Sequence, residues 1–215
     1  EYVTPMKMKK QPKHLLPLTA AALLALLTAA SCSDDTPPTP TPVELTEIVT
    51  VDQPSAPARF TALRVPPQHD AMLTADVSLP ETIKPGQRIL LRYSAQDTVA
   101  QPVRIRVLGY APVATGKVKV VSRGEARELP PPQASLISRW LTGPYINMQL
   151  MMRFDGTPRT LSLAADRESL TEPALQLYLY NGGQEVTPDY VDTRTFASYD
   201  LTGLLRSGQT INLNL

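Results

Sequence analysis

The sequence has little of the chemistry that most enzymes and metal sites need. It contains one cysteine, Cys32, and two histidines among 215 residues. His14 lies in the leader segment described below, so the folded part keeps only His69. Structural zinc sites use about four Cys or His ligands, and a single cysteine has no partner within the chain for a disulfide. A zinc site and an internal disulfide are therefore excluded.

Catalytic motifs are equally scarce. A Ser-His-Asp triad would have to use His69, which lies in a proline-rich, loop-like stretch with no Gly-x-Ser-x-Gly turn in the chain. No glycine-rich phosphate loop is present. Asp189, Asp192 and Asp200 flank aromatic residues and could serve a glycosidase, but a polar loop over a core explains them as well. We predict no catalytic residue, no metal and no cofactor.

An excess of charge of one sign is also missing. The chain has 21 basic and 20 acidic residues, for a net charge of +1. Four of the lysines and one glutamate precede Cys32, so the part that begins at Cys32 carries a small negative charge. Nucleic-acid-binding proteins have a marked basic excess or a basic stripe. The sequence therefore predicts no nucleic-acid partner.

Long hydrophobic runs are missing except near the start. Leu15 to Ala30 is rich in Leu and Ala, but at about 16 residues it is shorter than the ~20 that a membrane-spanning helix needs. Four lysines lie before this run, and small residues follow it. This order is typical of a secretory signal peptide, which we predict at residues 1–31.

The small residues Thr28–Ser31 stand directly before Cys32, which resembles a lipobox. At this motif bacterial lipoproteins are acylated on the cysteine and then cleaved. Ala29 stands where the motif usually has leucine, so an ordinary signal peptide beside a chance cysteine is the alternative. Lipidation explains a single cysteine in an exported chain, and two or more fatty acyl chains, such as palmitate, give durable attachment. We predict a lipoprotein of the bacterial outer membrane, attached to the membrane through Cys32.

The residues after the cysteine predict display at the cell surface. Ser33, Asp34 and Asp35 resemble the surface-export signal of lipoproteins from Gram-negative gut and oral anaerobes; the alternative is a merely solvated start of a tether. The Thr-Pro repeat of Thr36–Pro42 follows. Proline fixes φ and lacks an N–H donor, so this run is extended and semi-rigid. Residues 32–43 are predicted to be a tether.

The rest of the chain alternates between apolar and polar residues, which is typical of half-buried strands. The alternating runs are Arg88–Tyr93, Val103–Val107, Lys117–Val120, Tyr145–Phe154, Leu175–Tyr180 and Gln209–Leu215. Asp155-Gly156 predicts a hairpin turn, and Ser135–Leu141 could form a short helical turn. The 22 prolines argue against long helices. The predicted fold class is all-β.

A change in composition divides the strands into two groups. Residues 122–133 are charged and end in Pro130-Pro131-Pro132, which predicts a domain boundary. We predict one β domain at residues 44–125 and a second at residues 133–215. Short strands separated by turns favour small barrels and sandwiches.

Three segments resemble the NigD-like lipoproteins. They are Gly86–Tyr93, Tyr145–Leu150 and Leu175–Asn181, although Gln87 replaces an acid that the family has, and Arg159-Thr160 stand where it often has histidine. The resemblance implies a small OB-like barrel followed by an antiparallel β-sandwich. It implies little chemistry, because the family has no established enzymatic activity and is named for a gene beside a bacteriocin.

Tyrosines supply the candidate contact surface. Tyr178 and Tyr180 alternate with Leu177 and Leu179, so they share the face opposite the leucines. Exposed aromatic residues bind sugars or proteins, whereas buried ones fill a core. We predict a non-catalytic binding or structural module with an unknown protein or glycan partner. The alternatives are a bacteriocin-associated immunity-type protein and a carbohydrate-active enzyme.

Overall fold

The computed structural model describes residues 42–95, 101–182 and 186–215. The predicted lipidation site Cys32, the predicted export signal Ser33, Asp34 and Asp35, and most of the predicted tether lie outside these residues. The described residues form twelve strands and two short helices. The strands are β1 Val43–Gln53, β2 Ala58–Ala62, β3 Ala71–Ala75, β4 Arg88–Ala95, β5 Val103–Pro112, β6 Lys119–Val121, β7 Ala134–Thr142, β8 Tyr145–Phe154, β9 Ser162–Asp166, β10 Ala174–Tyr180, β11 Val191–Asp200 and β12 Thr210–Asn214. The all-β prediction is confirmed.

The first five strands close into a barrel in the order β1-β2-β3-β5-β4. Neighbouring strands are antiparallel except β3 and β5, which run parallel. Alternate residues of each strand point inward, as the period of two requires. The interior positions include Val49, Phe60, Leu73, Leu91 and Tyr93, each at most 1% exposed. Closure pairs each of these five described strands with two neighbours, which removes the free edges of an open sheet.

The remaining strands form two sheets that pack on a second core. One sheet has the order β11-β8-β7, and the other has the order β12-β10-β9-β6. Met148, Leu150, Leu163, Leu177 and Tyr199 lie fully buried between the two sheets. The predicted architecture of a small barrel followed by a β-sandwich is confirmed.

Strand β6 lies in a different place from the one that its sequence position suggests. The predicted first domain includes Lys119–Val121, yet β6 pairs in parallel with β9 of the four-stranded sheet. The chain thus leaves the barrel after Pro112, reaches the sandwich at Ala114, which forms a bridge to Ala197 of β11, and enters the four-stranded sheet at Lys119. The helix α1, Arg123–Arg127, follows at once, with Ser122 as its N-cap and Ala126 fully buried.

Two local predictions are wrong. Ser135–Leu141 is not helical but lies in strand β7, which pairs with β8. Asp155-Gly156 turns the chain, with Gly156 at φ 87°, but no hairpin follows. Strands β8 and β9 belong to opposite sheets, so the segment between them crosses the sandwich. Dipeptide signals report the turn but not which strands pair, because pairing is decided by packing of the whole strand.

A single pair of charged residues fixes this crossing. The Arg159 guanidinium donates two hydrogen bonds to the Asp155 carboxylate, at 2.7 and 2.8 Å. The carboxylate also accepts from the backbone N–H groups of Thr157 and Thr187. Both charged side chains are almost fully buried.

Within the described ranges 42–95, 101–182 and 186–215, the helices are too short to traverse a lipid bilayer.

Candidate functional site

A groove runs between the barrel and the three-stranded sheet, with a cavity volume of about 520 Å³. Its barrel side comes from β1, β4 and the loop after β2, and its sheet side from β7 and β11. The lining residues are Thr46, Glu47, Ile48, Leu63, Arg64, Val65, Pro66, Pro67, Gln68, Leu90, Trp140, Thr142 and Phe196. Most of these side chains are apolar, which is usual for ligand-binding clefts.

The barrel wall of the groove uses positions that point away from the barrel interior. Ile48 of β1 lies opposite Leu90 of β4, while their neighbours Val49 and Ile89 point inward. Ile48 is only 6% exposed although it faces outward. An apolar residue on the outer face of a barrel is buried only if another element covers it, and the sandwich does so here.

The floor of the groove carries two aromatic side chains. Trp140 of β7 lies opposite Asn147 of β8, and Phe196 of β11 lies opposite Gln149 of β8. The two aromatic residues therefore flank β8 on the same outer face of the sheet, in diagonal positions. Both are half-buried. They offer a flat apolar surface to a ligand in the groove.

One end of the groove is polar. The Arg64 guanidinium donates to both carboxylate oxygens of Glu47, at 2.9 and 3.1 Å, and to the Tyr93 hydroxyl at 3.2 Å. The Tyr93 hydroxyl in turn donates to Glu47 at 2.5 Å. The hydrogen bond to Glu47 raises the pKa of Arg64, while burial and then the hydrogen bond to Glu47 raise the pKa of the Tyr93 phenol. Because the pKa values of Arg64 and Tyr93 are raised further above neutrality, these two groups are suited to positioning rather than to proton transfer.

A buried arginine joins the barrel to the sheet beside the groove. Arg88, at the start of β4, is 3% exposed. Its guanidinium donates to the Thr50 hydroxyl at 3.0 Å and to the Asn147 side-chain oxygen at 3.3 Å, and it lies 4.0 Å from the centre of the Tyr145 ring. Asn147 also accepts from Ser198 and donates to Thr142. This network fixes the barrel against the sheet and so sets the width of the groove.

The predicted contact surface lies elsewhere. Tyr178 and Tyr180 share one face of β10, as the alternation predicts, but both rings are half-buried. They pack against a small cluster of Val121, Ala126 and Ala164, which β6 and α1 bring over that face. A role of the two tyrosines in binding stays a prediction.

The residues considered for catalysis do not converge. Asp192 and Asp200 lie near opposite ends of β11, and His69 is exposed beyond the lip of the groove. In the three described ranges no serine hydroxyl bonds to His69, and no cluster of three or more His, Cys, Asp or Glu side chains could hold a metal. Glu47 lines the groove but is engaged by Arg64.

Sequence reasoning missed the groove, although one signal was present. Ile89, Leu90 and Leu91 are three consecutive apolar residues, and Ile48-Val49 is a second such run. Strict alternation would make one of these residues polar. A strand that is apolar on both faces is covered on both sides, as parallel strands are. These runs therefore indicate that something packs on the outer wall of the barrel.

Several solved structures have a similar fold. A protein of unknown function from Bacteroides vulgatus is 16% identical, with a TM-score of 0.61 over 80% of this chain and 83% of that one. A NigD-like immunity protein from Bacteroides caccae is 18% identical, with a TM-score of 0.58 over 79% of this chain and 84% of that one. A candidate lipoprotein from Bacteroides fragilis is 13% identical, with a TM-score of 0.55 over 80% and 87%.

These likenesses confirm the resemblance to NigD-like proteins at the level of the fold. At such low identity they say nothing about shared chemistry. No family model and no curated protein sequence matches the chain.

Proposed function

We propose that this chain is a non-catalytic lipoprotein of the outer membrane, displayed at the cell surface, and that it binds an apolar segment of a partner protein in the groove between barrel and sheet. The groove itself carries the proposal. Its floor is formed by Trp140 and Phe196, and its walls are largely apolar. Large aromatic residues in apolar clefts dominate the binding energy of protein interfaces.

A protein segment fits this groove better than a glycan does. Sugars need many free hydrogen-bonding groups, whereas the charged groups at the groove, Glu47 and Arg64, are bonded to each other. A carbohydrate-active enzyme would need two carboxylates about 5 to 10 Å apart across a cleft. Glu47 is the one acid among the described residues that line the groove.

An immunity-type protein is the second candidate, favoured by the likeness in fold to the NigD-like immunity protein of Bacteroides caccae. In that case the partner is a secreted toxin, and the groove is where it is neutralised. The partner's identity separates this candidate from a general binding module.

Photo-crosslinking in intact cells tests the proposal. Benzoylphenylalanine replaces Gln68 at the groove lip, and in a matched control it replaces Arg104, an exposed residue of β5 outside the groove. We expect an adduct from position 68 only, lost when Trp140 and Phe196 are both changed to Ala.

We also expect Cys32→Ala to move the protein out of the membrane fraction and to remove the adduct.

Equal adducts from positions 68 and 104, or an adduct that survives the loss of both aromatic residues, would contradict binding in the groove. Unchanged membrane fractionation of Cys32→Ala would contradict the lipid anchor. Mass spectrometry of the adduct identifies the partner and shows whether it is a toxin.

A further inference from the structure

Half of one sheet edge in the sandwich has no partner strand among the residues that the structure describes. β11 is the edge strand of the order β11-β8-β7. On its free side the Phe196 carbonyl accepts from the Ala114 N–H at 2.8 Å, and the Ser198 N–H donates to the Ala114 carbonyl at 2.9 Å. Two residues before Ala114 the chain turns into the barrel at Pro112, which has no N–H to donate. Among the described residues, no strand lies beside Val191–Thr195 on that side.

The backbone of this free half is ready for pairing. In an antiparallel ladder, successive residues direct their N–H and C=O groups alternately to one neighbour and to the other. Phe196 and Ser198 direct theirs to the free side, so Arg194 and Asp192 do the same. Each offers one donor and one acceptor. An open row of this kind is a template for another strand.

The two faces of the free half differ in character. Val191 is 62% exposed and Phe154, opposite it on β8, is 40% exposed, although both lie on the face that is buried further along the sheet. Beside them an apolar cavity of about 290 Å³ is lined by Ala114, Met152, Phe154, Leu161, Thr193 and Thr195, among others.

The other face carries two opposite charges on β11, Asp192 and Arg194, with Arg153 of β8 opposite Asp192. Asp192 and Arg194 are both exposed, and neither forms an ion pair with any residue that the structure describes. They stand two residues apart, with Thr193 between them. Rotating β11 by 180° about Thr193 therefore brings Asp192 to the position of Arg194, and Arg194 to that of Asp192.

We propose that β11 pairs antiparallel with β11 of a second copy of this chain, about a two-fold axis at Thr193. This register places Asp192 opposite Arg194 of the partner subunit, and the same pair repeats on the other side of the axis. Both residues direct their backbone groups to the free edge, so each pair exchanges two hydrogen bonds. The two three-stranded sheets become one sheet of six strands.

The apolar face agrees with the same register. Val191 of each copy comes to lie opposite Thr195 of the other, beside the 290 Å³ cavity that Thr193 and Thr195 line. The exposed valine is thereby covered. Shifting the register by one residue would put backbone groups out of phase, and shifting it by two would separate the opposite charges. The pattern of faces, charges and backbone directions thus fits another copy of the same strand.

Disulfide trapping in intact cells tests the geometry. Thr193 faces its own copy across the axis as a non-hydrogen-bonded pair, with Cα atoms about 4.5 Å apart, which is within reach of a disulfide. Thr195 of the two copies would be separated by four residues along the strand, or roughly 13 Å. With a mild oxidant we expect a disulfide-linked dimer of the full chain for Thr193→Cys, and none for Thr195→Cys or the parent chain.

Charge reversal tests the register. In the Thr193→Cys chain, Asp192→Arg or Arg194→Asp places like charges opposite each other at both positions, which is unfavourable. We expect each change alone to reduce the trapped dimer about tenfold. Co-expression of the two variants, or the double variant D192R/R194D, restores opposite charges and should restore the dimer.

Recovery of the dimer by co-expression also shows that the single variants fold. The proposal is overturned if Thr193→Cys gives no dimer, if Thr195→Cys gives as much, or if charge reversal has no effect. The proposed dimer does not depend on binding in the groove, which the crosslinks at position 68 test in a separate experiment.

Discussion

At the residue scale, the most unusual side chain is Arg88, a buried cation that forms no salt bridge with any described carboxylate. Burial lowers the pKa of its guanidinium from the ordinary value. Its Nε has no hydrogen-bond partner among the described residues. Its hydrogen bonds and its ring contact are to neutral groups, namely the Thr50 hydroxyl, the Asn147 amide and the Tyr145 ring, while the Asp200 carboxylate favours the charge through space without bonding to it. Burial of a charge with these partners has a large desolvation cost, so Arg88 is not expected to add much to the free energy of unfolding.

Two substitutions separate the role of the charge from that of its partner. Arg88→Met removes the buried guanidinium and leaves Asn147 bonded to Thr142 and Ser198, so we expect a loss of less than about 1.5 kcal/mol of unfolding free energy. Asn147→Leu strands the guanidinium and the two hydroxyls, so we expect a loss of about 3 kcal/mol or more. Urea unfolding followed by circular dichroism measures both. An Arg88→Met loss as large as that of Asn147→Leu would mean that the cation itself stabilises the interface.

At the scale of elements, the connection from β8 to β9 depends on the ion pair of Asp155 and Arg159. The hydrogen bonds from Arg159 and then from the Thr187 backbone hold the pKa of Asp155 well below its usual range. A carboxylate whose pKa is lower in the folded than in the unfolded state stabilises the fold above pH ~4, and this contribution fades as the pH falls below about 5. Acid should therefore loosen the crossing between the sheets.

Asp155→Asn should remove that part of the acid sensitivity. The variant is expected to be less stable than the parent at pH 7. The difference in their free energies of unfolding should decrease steadily from about pH 5 to pH 2. Urea midpoints recorded across this range provide the measurement. Asp76→Asn, at an exposed position after β3, is the matched control and should follow the parent. If the difference in urea midpoint between the parent and Asp155→Asn stays constant with pH, the charge of the carboxylate does not contribute and only its shape matters.

Strand positions could be predicted from the sequence because side-chain alternation is a local property. Ile89, Leu91 and Tyr93 are buried while Arg92 is exposed, as predicted for β4. The partners of each strand could not be predicted, because pairing depends on packing between distant segments. Asp155-Gly156 therefore predicted a turn correctly and a hairpin wrongly. The predicted helical turn at Ser135–Leu141 failed because pairing with β8 outweighs the weak local preference of a short segment.

The candidate site was only partly predictable for a related reason. Trp140 and Phe196 stand out in the sequence as aromatic residues, but their approach to Ile48 and Leu90 requires the barrel and the sheet to be packed together. Tyr178 and Tyr180 were predicted on one face, which is confirmed, while the cover supplied by Val121 and Ala126 comes from more than 50 residues earlier in the chain. Contacts of this range leave no local pattern.

At the scale of the whole molecule, two cores are joined by the Arg88 network and by the segment between β5 and β6. The predicted boundary at residues 122–133 stays a prediction, but β6 and α1 pack within the sandwich. Arg123 reinforces this packing: its side chain donates to Asp166 and Glu172, and its backbone N–H donates to Glu168. Ala114 also bonds to β11 of the sandwich, so we expect the boundary between the two folding units to lie between Pro112 and Ala114.

Expression of alternative C-terminal pieces measures where that boundary lies. A piece of residues 113–215 keeps Ala114, β6 and α1, whereas a piece of residues 129–215 exposes the edge of β9 and uncovers Ala164. We expect the longer piece to fold with a β-type circular dichroism spectrum. The shorter piece should have a lower urea midpoint, with a free energy of unfolding smaller by about 2 to 4 kcal/mol, because about two apolar side chains and one strand are lost. Equal stability of the two pieces would instead place the domain boundary at Pro130-Pro131-Pro132, as the sequence predicts. If neither piece folds while the whole chain unfolds in one transition, the barrel and sandwich are a single cooperative unit held together through Arg88 and the groove.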